Sequence, residues 1–378
     1  MVNGRLRDTS LIVDLDALRH NIQEQRKVLP ENSRILAVVK ANAYGNGLIP
    51  VAQTAMTSGA SGASGLCVAI LDEALELRDN GIEAMTLVLG ITPVEDALIA
   101  AQAGVSLTVG SLDWLEQYHQ LAQVAKPKKP LKVHLGIDSG MGRIGFTEVA
   151  TFKQAVKLLD SPEFEFEGMF THFATADSPD ENYFNQQVQR WHQFVASLDE
   201  LPPYVHMANS ATGLWHREKI TANTVRMGIS MYGQNPSGRD LKLTLDLQPV
   251  SSLVSSISFV KQLKAGRSVS YGATYTAEQD EWLATLPIGY ADGYPRCMTG
   301  YKVLVDGQFC DIAGRVCMDQ MMIRLPKYYP VGTPVVLMGK SGDQEITATD
   351  LAEQAGTINY EILTNISNRV HRIYHQSK

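Results

Sequence analysis

Ile35-Leu36-Ala37-Val38-Val39-Lys40 runs directly into Ala41-Asn42-Ala43-Tyr44-Gly45-Asn46-Gly47, and the reading of this stretch decides the fold. The apolar, β-branched run predicts a buried strand over residues 35–40, and the Asn/Gly-rich tail predicts the loop at its end. A lysine at the mouth of a strand is partly desolvated, which lowers its pKa and makes the amine a usable nucleophile or base. Taken alone, such a lysine is more often one that reaches from a strand end into water. The rest of the chain decides between the two.

Seven further β-rich runs follow, over residues 66–70, 86–90, 106–109, 132–137, 165–172, 204–207 and 225–229. Amphipathic helical patterns at 16–29, 72–80, 94–103, 112–122, 148–159 and 182–198 lie around and between them. The segment from Asp72 opens with acids and stops at Asn80-Gly81, the order expected of a helix. Strand–helix alternation implies parallel strands with helical crossovers, and eight strands predict a (β/α)8 barrel of the TIM type. An open doubly wound sheet is the competing topology, but no Gly-x-Gly-x-x-Gly follows the first strand. After about residue 240 the texture changes. Short β-branched runs at 250–260, 282–287, 302–305 and 335–337 are punctuated by Gly, Asp and Pro, with one helix-like stretch at 347–355. The expected organisation is an α/β barrel over residues 1–240 and a mostly β domain over 241–378, the first ten residues fitting either.

Composition narrows the partners. A chain of 378 residues with 44% hydrophobic and 19% charged residues has enough apolar material for two cores. A formal charge of -7 argues against nucleic acid or an anionic membrane as the main partner. Met1-Val2-Asn3-Gly4-Arg5 lacks the apolar stretch of a signal peptide, and no run reaches the length of a membrane helix. Cys67, Cys297, Cys310 and Cys317 are too sparse and irregular for a disulfide framework or a metal site. These features predict a cytoplasmic protein without a metal.

Barrel enzymes keep their chemistry at the C-terminal ends of the strands and often bind phosphate after strands seven and eight. Here strand seven leads into Ala208-Asn209-Ser210, and strand eight carries Arg226-Met227-Gly228-Ile229, where Gly228 lets backbone N–H groups approach an anion. Strand one offers Lys40, strand five leads to Gly140-Met141-Gly142-Arg143, and strand six ends in Thr171-His172. A lysine, a phosphate cradle, an arginine and a histidine at one mouth suggest covalently held pyridoxal phosphate.

The stretch Val38-Val39-Lys40-Ala41-Asn42-Ala43-Tyr44-Gly45 resembles the cofactor-lysine motif of bacterial alanine racemases. Further likenesses run in order: Asp138 to Arg143, Thr171-His172-Phe173-Ala174, Ala208-Asn209-Ser210, Val225 to Ile229, Ser270-Tyr271-Gly272, Pro287 to Gly293, Gly314 to Gln320, and Asn359-Tyr360-Glu361. They extend over nearly the whole chain. The resemblance implies interconversion of L- and D-alanine for cell-wall peptidoglycan, with Lys40 carrying the cofactor and acting as base on one face of the substrate Cα. Tyr271, from the partner subunit of a homodimer with shared sites, would be the base on the other face. Tyrosine is a poor base at a pKa of ~10 unless neighbours stabilise its phenolate; the resemblance gives that task to His172 and Arg226. Arg226 would also face the pyridine nitrogen, and a guanidinium that keeps its proton weakens the ring as an electron sink.

By the same resemblance Tyr44, Asn209, Ser210, the backbone of Gly228 and Ile229, and Tyr360 bind the cofactor. Arg143 and the backbone of the partner's Met318 bind the substrate carboxylate, Tyr290 lines the entry, and Asp319 supports Tyr271. Three positions depart from the family pattern: Gly136 stands where many members carry a carbamylated lysine, Asn46 where histidine is common, and His371 where proline is common. The alternative activity is a racemase of broader or serine-preferring specificity. A decarboxylase on the same plan would use a cysteine motif in the β-domain, and a non-catalytic cofactor carrier would lack Tyr271.

Overall fold

The computed structural model describes residues 2–30, 32–57 and 62–377. The chain divides into two compact units, one made of Leu18–Ala43 and Leu48–Leu247, the other of Met1–Ala17, Tyr44–Gly47 and Gln248–Lys378.

The first unit is a closed barrel of eight parallel strands, so the open-sheet alternative is excluded. Its strands are Arg34–Val38, Gly65–Val68, Thr86–Ile91, Ser106–Val109, Leu131–Ile137, Phe164–Thr171, Tyr204–Ala208 and Thr224–Met227. Closure comes from pairing of the first with the eighth, Leu36 opposite Arg226. Strands such as Gly65–Val68 and Ser106–Val109 are buried at every position, as expected where helices cover one face and side chains fill the other. The helix Asn182–Val195 buries Phe184, Gln187, Val188, Trp191 and Phe194, a single stripe at helical spacing. Helix Leu112–Ala125 starts where Ser111 accepts the Trp114 N–H. Among the described residues of this unit, the helices Leu48–Met56 and Ser210–Trp215 lie outside the ranges read as helical. Pro50 reads as a breaker, yet it sits in the first turn, where its missing N–H costs no helical hydrogen bond.

The second unit is mostly β. A seven-stranded sheet contains Ser251–Ser256, Lys302–Val305, Gln308–Asp311, Pro334–Ser341 and Gln344–Ile346. Ser10–Asp14, which alternation over five residues was too short to announce, lies between Ser251–Ser256, antiparallel, and His371–His375, parallel. The run read as one stretch over 250–260 is two strands. Ser251–Ser256 joins the large sheet, while Phe259–Leu263 pairs with Glu281–Leu286 in a separate three-stranded sheet. Helix Ala348–Ala355 begins in a capping box between Thr347 and Asp350.

Candidate active site

The first barrel strand ends at Val38, two residues short of the expected Lys40, and the chain beyond it is not an ordinary loop. Ala41, Asn42, Ala43 and Tyr44 all have φ between 53° and 55°, a turn of left-handed helix built without glycine. Left-handed conformation costs about 1–2 kcal/mol per such residue, so the turn must be held by its surroundings. Glu73, at the start of helix Leu71–Asp79, accepts the Ala41 N–H (2.6 Å) and the Ala69 N–H (2.7 Å). Asn42 Oδ1 accepts from Leu48 N (2.8 Å), and Ala43 N–H donates back to Val39 O (2.7 Å). Nothing in the sequence flagged Glu73, whose carboxylate looks like ordinary helix-start chemistry.

This turn fixes Lys40, whose pKa is lowered chiefly by burial and further by the charge of Arg143. Cys67 and Glu73 pull the other way, and Arg226 adds repulsion. More of the amine is therefore neutral near pH 7 than in a solvated lysine.

The barrel places Arg143, His172, Asn209, Ser210, Gly228 and Ile229 in segments that follow the C-terminal ends of its fifth to eighth strands. Parallel strands put those ends at one mouth, with Lys40 after the first. Asn209 Oδ1 accepts from Thr212 N (2.9 Å), so its side chain caps the short helix that begins at Ser210. Ser210 Oγ accepts the Gly228 N–H (2.9 Å) and the Ser230 hydroxyl (3.0 Å), joining the loops after strands seven and eight. Arg143 is exposed at the rim.

Arg226 is 3% exposed and heavily engaged. One terminal nitrogen donates to His206 Nδ1 (2.8 Å) and His206 O (3.0 Å). The other donates to Thr171 O (2.7 Å) and His172 Nδ1 (3.3 Å). A guanidinium has five N–H bonds, so these four leave Nε–H as the remaining donor. Burial brings the Arg226 pKa down to about 10, which still leaves it charged at neutral pH. Burial, with Arg226 next, drives His172 down to about 3, so its imidazole is neutral. His206, read as the end of a strand, lies inside the barrel with no exposed surface.

Gly136 sits opposite Phe170 in the fifth strand. A Cβ there would meet Phe170 and Thr108 at 3.6 Å, ordinary contact, so a side chain is absent without being sterically forbidden.

In the second unit, Tyr44 is buried with its ring 6.1 Å from that of Tyr360. Asn46 donates to Tyr44 O (3.2 Å) and accepts from Ser251, which gives this departure from the family pattern a holding role. His371 opens the strand beside Ser10, in register with it. Three loops carry the remaining candidates. Ser270, in a conformation rare for a side-chain-bearing residue (φ 66°, ψ 179°), donates to Arg315 O (2.6 Å) and sets up the turn at Tyr271. Tyr290 N–H and Ala291 N–H donate to Cys317 O and Met318 O, both at 3.0 Å. Gly289 permits this approach, since a Cβ there would lie 2.3 Å from Cys317 O. Asp319 pairs with Arg369 (2.8 Å), which also faces the buried Asp292 that caps the Tyr290 turn. These loops present Tyr271 (71% exposed), Met318 (54%) and Tyr290 (43%) to solvent.

Comparison with known proteins adds the family. The description "Alanine racemase, N-terminal domain" matches residues 13–236, and "Alanine racemase, C-terminal domain" matches 250–374. The chain is 97% identical over 378 residues to an alanine racemase of Limosilactobacillus reuteri, covering all of both chains. It superposes on the crystal structure of alanine racemase from E. faecalis with a TM-score of 0.95 at 45% identity, covering 99% of this chain and 100% of that one. A histidine racemase from Leuconostoc mesenteroides gives a TM-score of 0.93 at 35% identity, with 99% and 100% covered. Matching both halves in order, and nearly identical to a full-length relative, this chain belongs to the alanine racemase family.

Proposed function

We propose that the chain is a pyridoxal-phosphate-dependent alanine racemase, working in the cytoplasm as a homodimer with shared sites and supplying D-alanine for peptidoglycan. The observation that carries this reading is Arg226: its terminal nitrogens are committed to His206, Thr171 and His172, which leaves Nε–H as a fixed donor at the mouth that also holds Lys40. The donor set fits the cofactor. Lys40 would supply the amine that holds it, and Ser210 with the Gly228 and Ile229 backbone would supply phosphate ligands; in the second unit the family resemblance also implicates Tyr44 and Tyr360, whose rings lie 6.1 Å apart. Asn209 contributes by capping the helix that carries Ser210.

When bound, pyridoxal phosphate supplies the electron sink that acidifies the substrate Cα–H. Lys40 Nζ, partly desolvated and so partly neutral, removes or returns the proton on one face of Cα. Tyr271 Oη of the partner subunit serves the other face. Tyr271 is largely exposed within its own chain, which suits a group completed only across an interface. His172, held neutral with Nδ1 accepting from Arg226, keeps Nε2–H for donation, the polarity needed to steady a tyrosinate. Arg143 and the backbone of the partner subunit's Met318 hold the substrate carboxylate, with no side chain at Gly136 to share the arginine. Tyr290 lines the entry and Asp319 braces the loop through Arg369.

Incubating cofactor-loaded protein with L-alanine in deuterated water tests the reading. D-alanine carrying deuterium at Cα is expected. Carbon dioxide release without D-alanine would overturn it. Parallel runs with L-serine, L-lysine and L-histidine fix specificity, since the fold is shared with a histidine racemase.

A further inference from the structure

Behind Arg226 the barrel interior holds a row of polar side chains that the proposed reaction does not use. His206 Nε2 lies 2.9 Å from His134 Nδ1, and His134 Nε2 lies 3.0 Å from Glu167 Oε2. Ser106 Oγ donates to that same carboxylate oxygen, and Lys132 Nζ donates to Oε1 at 3.0 Å. His134 and His206 are fully enclosed, Ser106 is 1% exposed and Glu167 5%. Room is made for the row: a Cβ on Gly168 would lie 2.4 Å from the His134 ring, and Gly168 pairs with His134 in the sheet. Unpaired polar groups at such depth are costly, so each member has to find its complement.

The direction of the row follows from its ends. A guanidinium only donates, so His206 must present a lone pair at Nδ1. A neutral imidazole has one N–H, which then sits on Nε2 and points at His134 Nδ1. That nitrogen is in turn a lone pair, and the His134 proton sits on Nε2, facing Glu167. An ionised carboxylate only accepts, which terminates the row consistently. Both histidines are held neutral, chiefly by burial, and Glu167 is lowered to about 2 by its donors against the cost of burial. Reversing the His206 proton would set an N–H against a guanidinium N–H, and reversing the His134 proton would set one against His206 Nε2–H.

We propose that Glu167 is a positioning residue for the reaction: through His134 and His206 it locks both imidazoles as Nε2–H tautomers, so that Arg226 meets a lone pair and keeps its proton and its orientation at the barrel mouth. This rests on the reading of Arg226 as the residue facing the cofactor ring. Without the anionic terminus the two imidazoles can reverse, and an N–H at His206 Nδ1 pushes the guanidinium away. The ring nitrogen then gains protons more easily, and abortive transamination rises.

Histidine-selective 15N labelling tests the first part, in the holoenzyme and the cofactor-free protein. Signals that vanish in His134→Gln and His206→Gln should report Nε2–H tautomers in the parent; an Nδ1–H tautomer at either overturns the proposal. For the second part, Glu167→Gln should raise pyruvate formed per racemisation turnover about tenfold or more, the loss expected for a buried charged hydrogen bond, and shift the pH midpoint of cofactor absorbance. Glu167→Asp should partly restore both, and Gly168→Ala, which displaces His134, should reproduce the defect. Glu165→Gln, which removes a neighbouring exposed carboxylate on the same strand, should leave both unchanged. A folded Glu167→Gln with the parent's pyruvate ratio and absorbance profile sinks the proposal. Arg226→Lys separates the two claims: unchanged pyruvate there removes the reading of Arg226, while the tautomers still decide the relay.

Discussion

Replacing Ala41 by glycine should stabilise the barrel while impairing catalysis. Ala41 has φ 53° and ψ 52°, and the left-handed region costs an alanine about 1–2 kcal/mol relative to glycine. Glycine gives back about 0.4–1 kcal/mol through the greater freedom of the unfolded chain. Ala41 is exposed, so deleting its methyl group loses no buried surface, and its N–H bond to Glu73 is unaffected. The balance favours the variant by about 0.5–1 kcal/mol, or about 1–4 °C in melting temperature for a domain of this size. Ala43→Gly is the internal control: the same strain is relieved, but Ala43 is fully buried, and losing about 0.8 kcal/mol of methyl burial should leave it near neutral. Calorimetry of the cofactor-free protein reads the stability, and steady-state racemisation reads the cost, because a looser turn holds Lys40 less firmly and kcat should fall. If Ala41→Gly melts lower than the parent by about 2 °C, the left-handed turn is not under strain and the argument for its role fails.

Three other outcomes are expected from the geometry. Acid should destabilise the cofactor-free barrel well above the carboxylate range. The pKa of His172 is lowered to about 3 from 6.5, so the unfolded chain binds a proton that the native one refuses. Stability is therefore full above pH 6.5 and falls by about 2 kcal/mol by pH 5; His172→Gln should flatten that slope in urea titrations. Lys40→Ala and Tyr271→Phe homodimers should each be nearly inactive, but unfolding and refolding them together should recover roughly a quarter of parental activity, since one site in each mixed dimer regains both bases. No recovery would contradict shared sites. Gly289→Ala should raise KM and lower the melting temperature, because its Cβ would sit 2.3 Å from Cys317 O and force the Tyr290 and Met318 loops apart; parental KM would mean those loops do not shape the site.

What could be read from the sequence divides along physical lines. The eight barrel strands were legible because each is a short β-rich run bounded by turn residues; their number suggested closure, but periodicity does not see it, and only the pairing of the first strand with the eighth excludes an open sheet. The roles proposed for Lys40, Arg143, His172, Ser210 and Arg226 come from motifs that resemble a family, whereas their positions at or just beyond the C-terminal ends of barrel strands were legible from the strand pattern. The left-handed turn was not, since Ala41-Asn42-Ala43 has no glycine to announce positive φ. Nor was the row behind Arg226. His134 and Glu167 stand within strands from which only the ends were read as functional, and it is the structure that shows Gly168 making room for the His134 ring. Tertiary pairing decides such features, and no local pattern encodes it.

The strand Ser10–Asp14, lying between Ser251–Ser256 and His371–His375, has a consequence for synthesis. It must wait for its first neighbour through more than two hundred residues of synthesis, on the order of tens of seconds. Its second neighbour follows more than a hundred residues later still. Throughout that delay the barrel can close while this strand stays unpaired, exposed to other nascent chains. Chaperone demand should therefore peak late in translation, and slowing the final third of the message should harm yield more than slowing the first.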